Sequence, residues 1–337
     1  MTRKTVLVTG ANGYIGNAVA KAFSRAGWKV YGLVRRAEAA NDLARHEIHP
    51  VIGTPEDLSF LDQTEGSVFD VIVSNTEDPK NAVDHLAKVR TMMNTIVRRS
   101  EDAGVRPLVM FSSGCKDYGM MAEKHGDAAL APHTENSPLN PPEVLIARCT
   151  LGATLLDKVQ TPYDAIVLRP TIVYGLSSSL YGSLFDLAAK SDGVLRFMAD
   201  PNAVMHSCHV DDCAEAYVML AEHPNRSGVV GQAFNISNAR YETAQQIGEA
   251  LARSYGLTLE FAAPEDGSGL NLNSVHGLAN SWQWVGSDKI RAVIGWKERR
   301  ATFAEAIEEY RLAYEAIVPA KNQHVRDAAG APGVCRT

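Results

Sequence analysis

The chain has 337 residues, of which 45% are hydrophobic and 21% are charged, so it is long and apolar enough for a large core. Its net charge of -6 argues against a nucleic-acid surface. No apolar run approaches the roughly 20 residues of a membrane span, which argues against membrane insertion. Five scattered cysteines without metal-ligand spacing, and a first strand that leaves no room for a signal peptide, predict a reduced, soluble, cytoplasmic protein.

Strand and helix signals alternate through the first half of the chain. Short β-rich segments are VLVTG, KVYGLVR, HPVIG, DVIVSN and PLVMFSS. The amphipathic segments between them are Asn17–Ala26, Glu38–Arg45 and Lys80–Ala103. This alternation predicts an α/β fold with a Rossmann-type, doubly wound parallel sheet.

The second half is more mixed. A long loop, Tyr118–Pro142, is expected to lie over the strand ends, and it precedes a helix over Glu143–Val159 and the strand DAIVLRP. Later elements are predicted at Leu180–Ala189, Val194–Phe197, Ala233–Ile236, Ala244–Tyr255 and Phe303–Ala316. We therefore expect a dinucleotide domain over 1–175 to which later segments return, a smaller mixed α/β substrate lobe over 176–318, and a flexible tail over 319–337.

The clearest motif is the glycine turn VLVTGANGYIG, in which Gly10, Gly13 and Gly16 lie between a predicted strand and a predicted helix. In that context, glycines allow a sharp turn and a close approach of the backbone to a pyrophosphate, which the helix N-terminus then binds. The turn predicts a nicotinamide dinucleotide site. Its predicted contacts comprise the turn itself and the ends of later segments: Gly10, Asn12, Gly13, Tyr14, Ile15, Gly16, Ser74, Arg148 and Pro170.

The end of the second strand carries Arg35 and Arg36. A carboxylate at this point would bind the ribose 2′-hydroxyl of NAD, whereas an arginine accommodates the 2′-phosphate of NADP. The pair therefore favours NADP(H) over NAD(H). The alternative is a solvated arginine pair at a strand end.

Six landmarks follow one another in order: VTGANGYIG, FSSGCKDYG, LRPTIVYG, HVDDCAEAY, GQAFNIS and SDKIRAVIGW. Together they resemble the extended short-chain dehydrogenase/reductase superfamily of NAD(P)-dependent epimerases, dehydratases and reductases. The resemblance covers about residues 4–316. It implies a Rossmann domain with substrate elements inserted in the C-terminal half.

The chain departs from that superfamily where its proton chemistry is usually performed. Relatives use a tyrosine four residues before a lysine, but here no tyrosine lies between Tyr118 and Tyr163 and no lysine lies between Lys124 and Lys158. Alignment places Val144 at the tyrosine, Arg148 at the lysine and Gly114 at the partner serine. The usual proton relay is therefore absent, although the cofactor turn is intact.

The segment SGCKDYG, with Lys116 and Tyr118, resembles the progesterone 5β-reductase/iridoid synthase-like branch, which reduces activated C=C bonds. The resemblance implies that Lys116 or Tyr118 stabilises the substrate oxygen on which charge develops. The alternatives are a solvated loop lysine and a structural tyrosine. Arg148 is expected to bind the cofactor or to form a structural ion pair, and His133, like His125, is a weaker candidate proton donor.

A substrate pocket is predicted from segments around the strand ends, and its walls are mainly apolar or small. The residues assigned to it are Gly114, Val144, Tyr174, Leu176, Phe185, Met205 and His206. The run HSCHVDD (206–212) has the residue types of a metal site, but its match to a structural landmark of the superfamily predicts no metal. Cys115 and Cys149 lack a paired base, so no cysteine nucleophile is expected.

These features predict an NADP(H)-dependent reductase of an activated C=C or C=O bond in a small, mostly apolar organic molecule. Two alternatives remain open. One is a redox-neutral epimerase, isomerase or lyase that uses a bound dinucleotide. The other is a catalytically silent, NADP-binding regulator like the NmrA-like proteins. We expect a monomer or homodimer whose partner is its small-molecule substrate.

Overall fold

A computed structural model describes residues 3–64, 66, 68–178, 180–263 and 275–321. Its central feature is a seven-stranded parallel sheet. The strands are β1 (Thr5–Thr9), β2 (Lys29–Val34), β3 (His49–Ile52), β4 (Val71–Ser74), β5 (Leu108–Ser112), β6 (Asp164–Pro170) and β11 (Gln232–Ile236). Their order is β11-β6-β5-β4-β1-β2-β3. The predicted Rossmann-type α/β fold is confirmed.

Ten helices occur in the described residues: α1 (Tyr14–Arg25), α2 (Ala40–Ala44), α3 (Ala82–Asp102), α4 (Ile146–Leu156), α5 (Gly182–Lys190), α6 (Val210–Ala221), α7 (Ala244–Tyr255), α8 (Val275–Asn280), α9 (Asp288–Ile294) and α10 (Ile307–Lys321). Helices α1 and α6 pack on each other in the apolar core on one side of the sheet. Helices α3 and α4 contribute to a separate core with β4, β5 and β6. None of the described helices is long and apolar enough to cross a membrane.

The smaller lobe is built from three two-stranded pairs. β7 (Ile172–Tyr174) pairs with β10 (Ser207–His209), β8 (Val194–Met198) with β13 (Thr258–Ala262), and β9 (Val204–Met205) with β12 (Glu242–Thr243). Its core is rich in buried aromatic rings: Tyr174, Tyr181, Phe185, Phe197 and Phe303. Burial of such large aromatic side chains stabilises the lobe.

The observed helix ends show where local sequence signals were sufficient to predict the bounds of a helix. Helix α7 has the predicted bounds because Thr243 and Gln246 form a capping box and Gly256 ends it in the left-handed conformation. The last helix begins at Ile307, four residues later than predicted, and the buried carboxylate of Glu242 accepts from the backbone N–H of Phe303 in the turn that precedes it. Helix α10 continues through residue 321, and the rest of the predicted tail lies outside the described residues.

The sheet order locates the crevice in which the site is expected. After β1 the chain runs outward to β2 and β3, then crosses back to β4 on the other side of β1. Ligands of open α/β sheets bind outside the carboxyl ends of the strands at such a switch point. The residues that follow β1 and β4 therefore border the candidate site.

Candidate active site

The glycine turn after β1 is shaped by close backbone contacts. Gly10 has φ +62°, and a Cβ atom there would lie 2.9 Å from the carbonyl oxygen of Asn75. A Cβ atom on Gly16 would lie 2.3 Å from the carbonyl oxygen of Gly10. Both positions therefore require glycine, because any larger residue would force the turn away from β4 or the helix away from the turn.

Helix α1 begins immediately after Gly13, whose N–H donates to the carbonyl oxygen of Gly10 at 2.8 Å. No side chain caps this helix, and its first turn contains no acidic residue. The N-terminal N–H groups and the positive end of the helix dipole are thus directed at the crevice, as an anionic pyrophosphate requires. The residues of the turn fit a dinucleotide.

The other residues predicted to contact the cofactor at this turn have different surroundings. The Tyr14 hydroxyl donates to the carbonyl oxygen of Gly175 at 2.6 Å, and burial raises the pKa of this phenol well above its usual value. Tyr14 thereby fastens α1 to the loop after β7, and its side chain is committed to that contact. Asn12 is exposed at the tip of the turn, and Ile15 is buried in the core behind it.

Arg35 and Arg36 follow β2 directly, and both are exposed. The end of β2 lies against the glycine turn, because the N–H of Ala11 donates to the carbonyl oxygen of Leu33 at 3.2 Å. Neither guanidinium forms an ion pair with a residue that the structure describes. The two charges are therefore available to a ligand in the crevice.

The end of β4 adds buried polar atoms to this crevice. Ser74 is 1% exposed, and its Oγ has no hydrogen-bond partner within the described part of the chain. The N–H of Asn75 donates to Thr9 Oγ1 at 3.0 Å, which joins the loop after β4 to the end of β1. Pro170, the last residue of β6, is buried at the same edge of the sheet.

Arg148 joins two loops of the crevice. Its Nη1 donates to Glu77 Oε1 at 2.7 Å, and its Nη2 lies 3.6 Å from Asp117 Oδ1. A Cβ atom on Gly114 would lie 3.1 Å from the same Nη2, so the guanidinium lies over the glycine that replaces the serine of relatives. The sequence predicted that Arg148 either binds the cofactor or forms a structural ion pair. The structure shows the ion pair, and a role in cofactor binding stays a prediction.

Asp117 is the centre of a buried polar network. It is 1% exposed, and its Oδ2 accepts from Ser113 Oγ at 2.6 Å and from Arg169 Nε at 3.1 Å. Arg169 Nη1 also donates to the Tyr118 hydroxyl at 3.2 Å, and that hydroxyl donates to Asn235 Oδ1 at 2.7 Å. The network therefore connects the turn after β5 to β6 and β11.

Tyr118 is held inside this network by its hydroxyl and its ring. Its ring is stacked on His133 with a centroid distance of 5.3 Å, and burial raises the pKa of the phenol. Burial, followed by the charge of Lys116, lowers the pKa of His133, whose Nε2 is buried without a partner in the described residues. A catalytic part for Tyr118 or His133 stays a prediction.

Lys116 lies in a narrow pocket between the central sheet and the smaller lobe. Its side chain is 9% exposed, and its Nζ donates to the carbonyl oxygen of Ser281. Burial lowers the pKa of the amine, and no ion pair joins it to a carboxylate of the described residues. The pocket lining is Cys115, Lys116, Ile172, Tyr181, Val204, Met205, His206, Leu278, Ser281 and Gln283, and the space left between these side chains holds about one water molecule.

His206 lines this pocket with both ring nitrogens already bound. Its Nε2 lies 2.9 Å from the carbonyl oxygen of Asn238, which only accepts, so Nε2 is the protonated nitrogen. Its Nδ1 accepts from the N–H of Val285 at 3.2 Å, and burial lowers the ring's pKa to about 4. His206 is consequently a neutral wall of the pocket at physiological pH.

Of the predicted pocket residues, the structure brings Met205 and His206 together beside Lys116. Val144 is 73% exposed and Leu176 is 40% exposed, whereas Tyr174 and Phe185 are buried in the core of the smaller lobe. Sequence reasoning missed Ser281 and Gln283. The only signal for them was their place in the short run SWQW, between α8 and the last landmark, where two polar residues alternate with two tryptophans.

The residues of HSCHVDD have structural contacts. The Nδ1 of His209 accepts from the N–H of Asp211 at 3.1 Å and so caps α6. The carboxylate of Asp212 accepts from the N–H groups of Arg299 and Arg300 at 3.1 and 3.0 Å. Within the described residues, no group of three or more His, Cys, Asp or Glu side chains is placed to hold a metal ion.

The sequence profile of the NAD dependent epimerase/dehydratase family matches residues 6–237. An uncharacterized protein of Schizosaccharomyces pombe, C2A9.02, is 26% identical over 251 residues, covering 73% of this chain and 80% of that protein. dTDP-glucose 4,6-dehydratase of Bacillus anthracis, solved with NAD, has a TM-score of 0.72 and 17% identity over 96% of this chain and 98% of its own. UDP-glucose 4-epimerase of Thermotoga maritima, solved with UDP-glucose, has a TM-score of 0.71 and 17% identity over 93% and 99% of the two chains. These structures share the fold.

Proposed function

The chain belongs to the NAD dependent epimerase/dehydratase family of the extended short-chain dehydrogenase/reductase superfamily, and we propose that it is an NADP(H)-dependent reductase. Its substrate is a small, mostly apolar organic molecule with an activated C=C or C=O bond. The glycine turn and the start of α1 would hold the pyrophosphate, and Arg35 and Arg36 would bind the 2′-phosphate. Bound NADPH supplies a hydride.

The observation that carries this proposal is the buried ammonium group of Lys116 in a narrow pocket with space for about one water molecule. When a carbonyl or an enone accepts a hydride, negative charge develops on its oxygen. A cation held in a poorly solvated pocket stabilises that charge strongly, and Lys116 can then transfer its proton to the oxygen. His206 cannot replace it, because both of its ring nitrogens are already bound.

The burial of Lys116 also suits proton transfer. Because burial lowers the pKa of the amine, its proton is released more readily than that of a surface lysine. Lys116 would thereby donate the proton that the tyrosine–lysine pair donates in relatives. The positions of that pair are occupied here by the exposed Val144 and the ion-paired Arg148. The neutral amine regains a proton from solvent after product leaves.

The test starts with fluorescence titration of the purified protein with NADPH and NADH. It continues with NADPH oxidation against a panel of enones, aldehydes and ketones. We expect at least tenfold tighter binding of NADPH, turnover of some members, and loss of turnover in Lys116→Met with unchanged NADPH affinity. The surface variant Lys190→Met is the matched control and should behave as wild type.

Two results would contradict the reductase. NADPH binding without oxidation by any compound would favour the redox-neutral or the catalytically silent alternative. Binding of neither nucleotide would remove the cofactor on which the proposal depends. Equal turnover by Lys116→Met and Lys190→Met would leave the reductase in place and exclude Lys116 as its proton donor.

A further inference from the structure

Two buried polar atoms at the Lys116 pocket have no hydrogen-bond partner within the described part of the chain. They are Ser281 Oγ and Gln283 Oε1, whose residues are 2% and 4% exposed. Both residues line the pocket. Buried polar atoms in proteins are almost always hydrogen-bonded, so two such atoms at one pocket indicate that a ligand group or a water bonds there.

The orientation of the Gln283 amide is fixed by its surroundings. Its Nε2 donates to the carbonyl oxygens of Cys115 and Gly119 at 2.8 and 2.7 Å, so both amide hydrogens are used. The N–H of Gln283 donates to the carbonyl oxygen of Val204 at 3.1 Å, which holds the backbone against β9. An exchange of the amide nitrogen and oxygen would place the oxygen against two carbonyls, so Oε1 is an acceptor in a defined direction.

Lys116 and Ser281 supply the complementary groups. The ammonium has three hydrogens, and one is donated to the Ser281 carbonyl oxygen, which leaves two for a ligand. The Ser281 hydroxyl can donate or accept. The pocket thus offers the hydrogens of Lys116, the hydroxyl of Ser281 and an oxygen that can only accept, Gln283 Oε1, in a space of about one water molecule.

This combination of groups discriminates between oxygen types. A carbonyl oxygen only accepts, so it would satisfy Lys116 and leave Gln283 Oε1 buried without a donor. A hydroxyl accepts from Lys116 and donates to Gln283 in the same space. A phosphate or a ring is too large for the space left between the side chains.

We propose that the Lys116 pocket is a hydroxyl-binding subsite and that the substrate is a carbonyl compound with a hydroxyl group next to the reacting carbon. The carbonyl part of this assignment rests on the proposed reductase; the hydroxyl part rests on Ser281 and Gln283. The second free hydrogen of Lys116 then reaches the neighbouring carbonyl oxygen. The substrate hydroxyl would take the place of an ordered water, with its hydrogen bonds retained.

The test compares hydroxyacetone with 2-butanone, which has a methyl group in place of the hydroxyl. Binding is followed by saturation-transfer NMR of the ligands, with and without NADP⁺, and turnover by NADPH oxidation. We expect hydroxyacetone to bind at least tenfold tighter, since a site that bonds a hydroxyl rejects the analogue without it. Ser281→Ala should narrow the preference about fivefold, whereas Ser183→Ala, whose hydroxyl bonds the Leu180 carbonyl oxygen, should leave it unchanged.

The possible results distinguish the hydroxyl-binding subsite from the proposed reductase activity. A hydroxyacetone preference in binding without NADPH oxidation supports the subsite and contradicts the reductase. Equal kcat/KM for the two ketones supports the reductase and overturns the subsite. Equal binding of the two ketones, or binding of neither, overturns the subsite whatever the turnover. Because Ser281→Ala removes an oxygen that has no partner among the described residues, its thermal unfolding should match wild type.

Discussion

Replacement of Asp117 by Asn tests the buried network that fixes the turn carrying Lys116. The Asp117 carboxylate lies 3.1 Å from Arg169 Nε and 3.6 Å from Arg148 Nη2. Asp117 itself is only 1% exposed. Removing one charge from a buried pair costs about 3–5 kcal/mol, because the remaining charges are left without compensation. Asn keeps the shape and one acceptor oxygen, so we expect the lower end, about 3 kcal/mol.

The measurement is the free energy of unfolding in urea at neutral pH, together with the thermal midpoint. A loss of about 3 kcal/mol corresponds to a fall of about 4 °C for a chain of 337 residues. The matched control is Asp84→Asn, which removes the exposed ion pair with Lys88 and should change stability by less than about 0.5 kcal/mol. Equal urea midpoints for the two variants would refute the reasoning, since the buried network would then contribute no more than a surface pair.

Three further predictions concern charge. Arg35→Ala combined with Arg36→Ala should weaken NADPH binding about 10- to 100-fold in fluorescence titrations and change NADH binding little; equal losses would exclude 2′-phosphate recognition. Lys116→Met should raise the urea midpoint, because burial disfavours the charged amine and lowers its pKa in the folded state. For the same reason, wild-type stability should rise as pH approaches the usual lysine pKa of about 10.4. A stability that does not change with pH in this range would contradict the prediction. Since burial lowers the His206 pKa from 6.5 to about 4, this residue should account for roughly 3 kcal/mol of the stability lost as pH drops from 6.5 to 4, and His209, whose pKa is also lowered to about 4, should contribute a similar loss. His206→Gln should therefore reduce the loss by about 3 kcal/mol, and the exposed His125→Gln should leave it unchanged.

The fold was largely predictable because its signals are local. Apolar runs predicted the first strands, the predicted bounds of α7 agree with its capping box, and the turn from Gly10 to Gly16 predicted the position of the crevice. The expectation that later segments return to the dinucleotide domain did not say which segment returns; the structure shows that the strand Gln232–Ile236 pairs with β6 at the edge of the central sheet.

The site was less predictable because its contacts span long distances along the chain. Whether Arg148 binds cofactor or an acidic residue depended on Glu77, 71 positions earlier, and nothing in the local sequence pairs the two. Gln283 reaches Cys115 across 168 positions. The sequence left open whether Tyr118 contacts the substrate oxygen or has a structural role, and the contacts that hold it come from Arg169 and Asn235, far along the chain.

Strand β11 lies far behind its partner strand β6 in the sequence, and this has a consequence during synthesis of the protein. Strand β6, whose seven residues are all buried in the finished fold, forms five register pairs with β11, but Gln232 follows Pro170 by 62 positions. At about 5–20 residues per second, the ribosome needs roughly 3–12 s to supply that partner. Throughout this interval β6 is the open edge of an apolar sheet, which is the kind of edge that pairs with other nascent chains. A chain stopped near residue 175 would keep that edge permanently, so aggregation of truncated products is the expected cost of closing a sheet with a strand from the other half of the sequence.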